Sequence, residues 1–302
     1  MNLSVREGAL GMTTVGVVGL GLLGSAVAAR LRAGGHVVVG YDVVAEKVQA
    51  LVAVGGRAAP TAEAVAEAAE AVCVVLPSLA SVDEVVLGSR GLAASGPPGR
   101  TIIQMSTISP ALTERLAREV TAKGLAFLDA PISGTSAMVA RGEGIVLVGG
   151  ERGVFDRWRP LLETILPHAV FIGRAGQAMV LKLVANLLVA LHSAAAAEAL
   201  LMARAAGLDL GLVLDVLCRS AASSRMLEVR GPLIARAEFP PQMKLDLFMK
   251  DLHLIQEAAR RVGAPLPLTD VAERLYAVAM EAGHGGADLS VVVKAFEGLR
   301  RI

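Results

Sequence analysis

The chain has 302 residues, long enough for two domains, and 54% of them are hydrophobic. Its 29 lysines and arginines balance 28 acidic residues, a formal charge of +1, so no basic or acidic field favours a nucleic acid or another polyanion as partner. The two cysteines, Cys73 and Cys218, lie far apart in apolar stretches and suit buried free thiols in a reducing cytosol better than a disulfide framework.

The apolar run after Thr13 resembles a signal core, but Arg6 is balanced by Glu7 and glycines divide the run at a spacing with another meaning. From Thr14 short β-branched runs alternate with helical stretches, the pattern of a parallel sheet with crossover helices. TVGVVG is the first predicted strand, and LLGSAVAARLRAGG its helix, closed by Gly34 and Gly35. HVVVGYD, AVCVVLP and RTIIQMS follow as strands two to four, and GLAASGPPGR between the last two reads as a surface loop. LAFLDAP, GIVLVGG and AVFIG predict further strands, with residues 129–144 as a loop and GVFDRWRPLLETI as an amphipathic helix that buries Trp158.

After Gly173 strand signals give way to helical periodicity. A helix over 176–206 would run about 45 Å at ~1.5 Å per residue. Its stretch 180–203 is apolar enough to suggest a membrane span, but Lys182, Asn186, His192 and Glu198 interrupt it, so a buried helix of a soluble protein is expected. The expected fold is therefore α/β: a Rossmann-type doubly wound sheet over residues 1–174, then an all-α domain over 175–302 built on one long helix.

Gly19, Gly21 and Gly24 stand in G-x-G-x-x-G spacing, with Leu20, Leu22 and Leu23 between them, after a strand and at the start of a helix. In that setting the glycines permit a tight turn, backbone approach to a pyrophosphate and close helix packing, and the helix N-terminus favours the anion. Asp42 ends strand two, where its carboxylate can accept from both ribose hydroxyls and repel a 2′-phosphate. With Val43 and Val44 following and no arginine beside it, Asp42 favours NAD over NADP. Leu76, Pro77 and Thr107 fall at the carboxyl ends of strands three and four, where the cofactor crevice is expected. The five histidines, at 36, 168, 192, 253 and 284, form no metal-ligand spacing, and no metal is expected.

Ser133 and Gly134 can offer a hydroxyl and successive amides to a carboxylate. Lys182 and Asn186, four apart, share one face of the long helix, with no acidic residue within a turn of either in sequence. The positive helix end and apolar neighbours disfavour an ammonium at 182, which tunes a lysine toward proton transfer near neutrality. Asn186 could hold a substrate hydroxyl or orient the amine.

GLGLLG, LPS, STISP, DAPISG, GQAMVLKLVAN and KLDLFMKDL, in this order and spacing, resemble the β-hydroxyacid dehydrogenase family over nearly the whole chain after residue 13. The resemblance is to its 3-hydroxyisobutyrate dehydrogenase and tartronate semialdehyde reductase branches and, in ALHSAAAAEAL and APLPLT, to L-threonate dehydrogenase. It implies a Rossmann domain joined to a helical domain through one long helix, an active site in the interdomain cleft, and homodimers or homotetramers; the cysteines add the expectation of a cytoplasmic setting. It further implies hydride transfer at C3 of a short 3-hydroxy acid, Lys182 as general acid/base with Asn186 beside it, Ser133 and Gly134 on the substrate, and Thr107 and Lys250 on cofactor or substrate. Departures are Thr135, bulkier than the glycine common there beside the substrate carboxylate, Ala185 in place of an asparagine, and Arg225, which could pair with a second polar group on the substrate. Imine reductases share this fold but usually replace the lysine with aspartate or tyrosine, and regulators that bind a dinucleotide without catalysis have lost it, so Lys182 argues against both.

Overall fold

Successive residues of the N-terminal strands point to opposite sides of one sheet, and the computed structural model, which describes residues 11–299, places an apolar core on each side. Val17, Cys73, Ile103 and Leu128 enter one core and their chain neighbours Val18, Val72, Ile102 and Phe127 the other. A strand buried on both faces has no use for polar alternation, which is why these runs are continuously apolar in sequence.

The strands are β1 (Thr14–Val18), β2 (Val37–Tyr41), β3 (Arg57–Ala58), β4 (Ala71–Val74), β5 (Thr101–Gln104), β6 (Ala126–Asp129), β7 (Ile132–Ser133), β8 (Ile145–Gly150) and β9 (Ala169–Gly173). They form one sheet in the order β3-β2-β1-β4-β5-β6-β8-β7, with β9 on β8. Pairing is parallel from β3 through β6, with Thr14 opposite Val37 and Val15 opposite Ala71; β8 runs antiparallel to β6 and β7. The order reverses at β1, between β2 and β4, the switch point where an open sheet of this kind leaves a crevice beyond its strand ends.

One face carries α1 (Leu22–Ala33) and, further along, the helix Arg152–Ile165, whose Trp158 is fully buried with its indole N–H donating to Thr101 Oγ1 at 2.8 Å. That agrees with Trp158 as a core residue. The other face carries the helices Ala62–Ala68, Leu79–Leu87 and Pro110–Ala122.

Three expectations need correction. GLAASGPPGR is not all surface loop: Leu92–Ser95 forms a helical turn that buries Leu92 and Ala93, an apolar pair too short to show periodicity. Residues 129–144 are likewise not a plain loop, because Ile132 and Ser133 pair with Val146 and Ile145, and Thr135 caps the short helix Ser136–Ala140 by accepting from Met138 N at 3.2 Å. Cys73 is buried, and burial pushes its thiol up to about 12, but Cys218 at the end of a surface helix is only half-buried.

The chain divides into two compact units, one ending at Lys182 and the other beginning at Leu183. The division falls inside one helix, Gln177–Ala205, eight residues beyond the connection near 174 where strand signals end. This helix is long and apolar enough to cross a membrane by length and composition. Ala178, Met179, Ala190, Ala197 and Leu200 on it are nonetheless fully buried in protein. The second unit continues through the helices Leu210–Cys218, Arg225–Arg236, Leu245–Val262, Pro267–Glu281 and Val293–Leu299, with no strand among the described residues after Gly173.

Within that unit Arg230 and Asp288 form an ion pair of 3.2 Å between side chains 2% and 0% exposed. Asp288 also accepts from Ser290 N and Met243 N, both at 3.0 Å, so one carboxylate ties three chain segments together. Tyr276, fully buried beside them, donates to Ala190 O at 3.0 Å.

Candidate active site

The three motif glycines are held by three different constraints. Gly19 has φ +93°, and a Cβ there would stand 2.1 Å from Val75 O. At Gly24 a Cβ would meet Gly19 O at 1.8 Å, the close helix-to-strand approach that only glycine allows. Gly21 is different: a Cβ there would meet nothing within 4 Å, so the protein itself does not require glycine at that point. It precedes α1, whose N-terminus has no side-chain cap, leaving first-turn amides for an anion. Open space at Gly21 and an uncapped helix head fit a pyrophosphate. Leu20 is buried, Leu23 half-buried and Leu22 exposed around this turn.

Gly21→Val therefore separates fold from cofactor. We expect an unchanged melting temperature and a dinucleotide affinity reduced by about tenfold or more, measured by fluorescence titration. A matching loss of thermal stability would instead make Gly21 a packing residue like Gly24.

Asp42 stands at the end of β2, its carboxylate accepting from Leu20 N at 2.7 Å and Val44 N at 2.9 Å. It thus fastens the glycine turn to strand two and also turns the chain into the next helix, Ala45–Ala53. Lys47 Nζ lies 3.4 Å from both carboxylate oxygens, a cation that the adjacent Val43 and Val44 do not signal. Leu76 is half-buried and Pro77 exposed past β4; Leu76 N donates to Ser106 Oγ at 2.8 Å, which fixes this turn beside half-buried Thr107 past β5.

Ser133 and Gly134 are half-buried at the end of β7, and Thr135 follows as the cap of the next helix, so its hydroxyl already accepts from Met138 N. Lys182 is 7% exposed in the second turn of the long helix, and Asn186 is 3% exposed one turn later. Asn186 Nδ2 donates to Asp251 Oδ2 at 2.8 Å, and Lys250 Nζ lies 3.0 Å from Asp251 Oδ1. A carboxylate only accepts, so this contact fixes which end of the Asn186 amide faces Asp251 and turns its carbonyl elsewhere. Arg225 is exposed at the first residue of its helix, 3.0 Å from Glu228.

Two carboxylates fall outside the expected site residues: Asp251, beside Lys250 in KLDLFMKDL, and Asp129, which opens DAPISG. Asp129 is fully buried at the end of β6, and its Oδ2 accepts from Gly176 N and Met179 N, both at 3.0 Å. Burial pushes its carboxyl up to about 7, against the pull of those two amides. An acidic residue closing an otherwise apolar strand was the available signal for it. Among the described residues no group of three or more His, Cys, Asp and Glu is placed to hold a metal ion.

Comparison with known proteins adds an independent finding. Residues 14–173 match the family model of the NAD-binding domain of 6-phosphogluconate dehydrogenase. Residues 176–296 match a second, described as NAD-binding of NADP-dependent 3-hydroxyisobutyrate dehydrogenase. The chain is 33% identical over 286 residues to L-threonate dehydrogenase of Cupriavidus necator, covering 94% of this chain and 96% of that one. It is 36% identical over 224 residues to 2-hydroxy-3-oxopropionate reductase of Escherichia coli, covering 74% and 77%. A crystal structure of 3-hydroxyisobutyrate dehydrogenase from Salmonella typhimurium is similar with a TM-score of 0.86 and 33% identity, covering 93% of this chain and 99% of that one.

Proposed function

The chain belongs to the β-hydroxyacid dehydrogenase family of NAD(P)-binding oxidoreductases, and from that premise we propose that it exchanges hydride between NAD and C3 of a short 3-hydroxy acid. The candidates are 3-hydroxyisobutyrate, glycerate with tartronate semialdehyde, and threonate. The observation that carries this reading is Lys182, buried to 7% exposure on the second turn of its helix with Asn186 one turn on.

Lys182 Nζ takes the hydroxyl proton as the alcohol is oxidised and returns it when the carbonyl is reduced. Asn186, held by Asp251, holds the substrate hydroxyl or orients the amine. Ser133 Oγ and the amides at Gly134 and Thr135 bind the carboxylate, the anchor that decides which carbon is presented. Arg225, 3.0 Å from Glu228, would give up that contact to reach a second polar substituent. The glycine turn, Asp42, Leu76, Pro77, Thr107 and Lys250 hold the dinucleotide, which when bound accepts or supplies the hydride.

Preference for NAD rests on the Asp42 carboxylate, which would repel a 2′-phosphate; Lys47 beside it moderates that repulsion. Exposed Leu188, Leu208, Leu212 and Val216 in the second unit support a homodimer or homotetramer. The balanced charge supports no nucleic-acid partner, and the family's small polar substrates support a cytoplasmic setting.

The test is reduced-nicotinamide absorbance with purified protein over a panel of 2- and 3-hydroxy acids, with NAD and NADP in parallel. Turnover of a 3-hydroxy acid, with the higher kcat/KM for NAD, is expected. Dinucleotide binding with no turnover of any hydroxy acid would overturn the substrate assignment. Equal or better use of NADP would overturn the cofactor preference and make Lys47 the determining neighbour.

A further inference from the structure

A fully buried carboxylate that a reaction does not use needs a reason to be there, and Asp129 has one in its two partners. Its Oδ2 takes the amides of Gly176 and Met179, 47 and 50 residues away in sequence, at the head of the helix that carries Lys182. Its Oδ1 is buried without a hydrogen-bond partner, a costly arrangement for a group whose only task is to end a strand. Glycines surround the contact: a Cβ on Gly149 would stand 3.3 Å from Asp129 Oδ2, and Gly176 has φ +92°. From Asp129 the chain passes within four residues to Ser133.

We propose that Asp129 is a positioning residue for Lys182: it clamps the head of the lysine helix to the strand end that leads to Ser133, and its negative charge there favours the ammonium. The inference rests on Lys182 as the proton-exchanging group. Met179, whose amide Asp129 accepts, precedes Lys182 by three residues, about 4.5 Å along the axis. Helical side chains lean toward the N-terminus, so the lysine extends back over the turn that Asp129 caps.

Glu114 is a second charge near this point, its Oε1 3.2 Å from where a Cβ on Gly176 would stand, but it makes none of the amide contacts. The charge on Asp129 develops as pH rises through about 7, so it bears on the neutral-to-alkaline part of the lysine limb. Asp129→Asn retains an oxygen that can accept both amides, removes the charge and puts an NH2 group in place of the other oxygen.

The experiment compares wild type, Asp129→Asn, Asp129→Ala and Glu114→Gln in kcat against pH, with dinucleotide affinity measured separately. For Asp129→Asn we expect unchanged dinucleotide affinity and a lysine limb moved about one pH unit toward acid. Asp129→Ala should lower kcat by about tenfold or more with little change in the dinucleotide KM. A limb that stays put in Asp129→Asn, or that moves only in Glu114→Gln, would overturn the proposal and leave Asp129 a plain helix cap.

A readout independent of activity follows from linkage. The folded carboxyl keeps its proton to about pH 7, whereas its ordinary value is 3.8, so folding takes up a proton in that window. Asp129 should therefore contribute a component of wild-type stability that declines as pH rises from about 4 to about 7 and is flat above it, and the difference between wild type and Asp129→Asn should isolate it. Should Lys182→Ala remain active, the reading of the function fails whatever Asp129 does. An inactive Lys182→Ala with an unmoved Asp129→Asn limb defeats this inference alone.

Discussion

Replacing Lys182 by alanine is expected to lower kcat/KM for a 3-hydroxy acid by between about 10² and 10⁴, the range for removing a general acid/base. The loss should fall on kcat, because the glycine turn at Gly19 to Gly24, proposed above for the dinucleotide, belongs to a different strand and helix, and dinucleotide affinity should stay within about twofold. Lys182→Arg is the sharper variant. It retains a cation but cannot release a proton near neutrality, so a group needed only for its charge would be rescued and a proton-exchanging group would not. We expect arginine to be as inactive as alanine. Since the position is buried, a thermal scan must accompany the kinetics; near-normal melting with abolished turnover carries the assignment. Activity within tenfold of wild type in either variant would remove Lys182 from the chemistry.

The second large effect concerns stability. Breaking the Arg230–Asp288 pair from one side, by Arg230→Met or Asp288→Asn, should destabilise the helical unit by about 3–5 kcal/mol, because the remaining charge is buried and uncompensated. On that scale the unit's melting temperature should fall by about 10 °C or more. Asp288→Asn should be the gentler of the two, since the amide oxygen can still accept from Met243 N or Ser290 N. Arg230 also reaches Met226, so Arg230→Met loses packing as well as charge. Replacing both partners with apolar residues should recover part of the loss, as expected where desolvation offsets attraction. Single variants that melt within 1–2 °C of wild type would show the pair to be far better hydrated than its burial implies.

Local patterns in the chain were enough for the longer strands of the sheet and for the glycine turn. Strands covered on both faces must be apolar throughout, and the glycine spacing before a helix answers to backbone sterics confined to a few residues, so β1, β2, β4, β5 and the turn at Gly19 to Gly24 were legible directly. The helix over 177–205 was legible for the same reason, and with it the shared face of Lys182 and Asn186.

What lay beyond the sequence depends on partners distant along the chain. Ile132 and Ser133 are a strand only because Ile145 and Val146 run beside them, and two residues carry no period of their own. Lys47 beside Asp42 needed the next helix to fold back onto strand two. Asp129 on the head of the lysine helix, Asp251 on Asn186, and Asp288 on Arg230 span 50, 65 and 58 residues, and apart from the apolar strand that Asp129 closes nothing local distinguishes these aspartates from surface ones. Burial decides their meaning, because a carboxylate removed from water must find donors, and only the tertiary structure determines which donors are within reach.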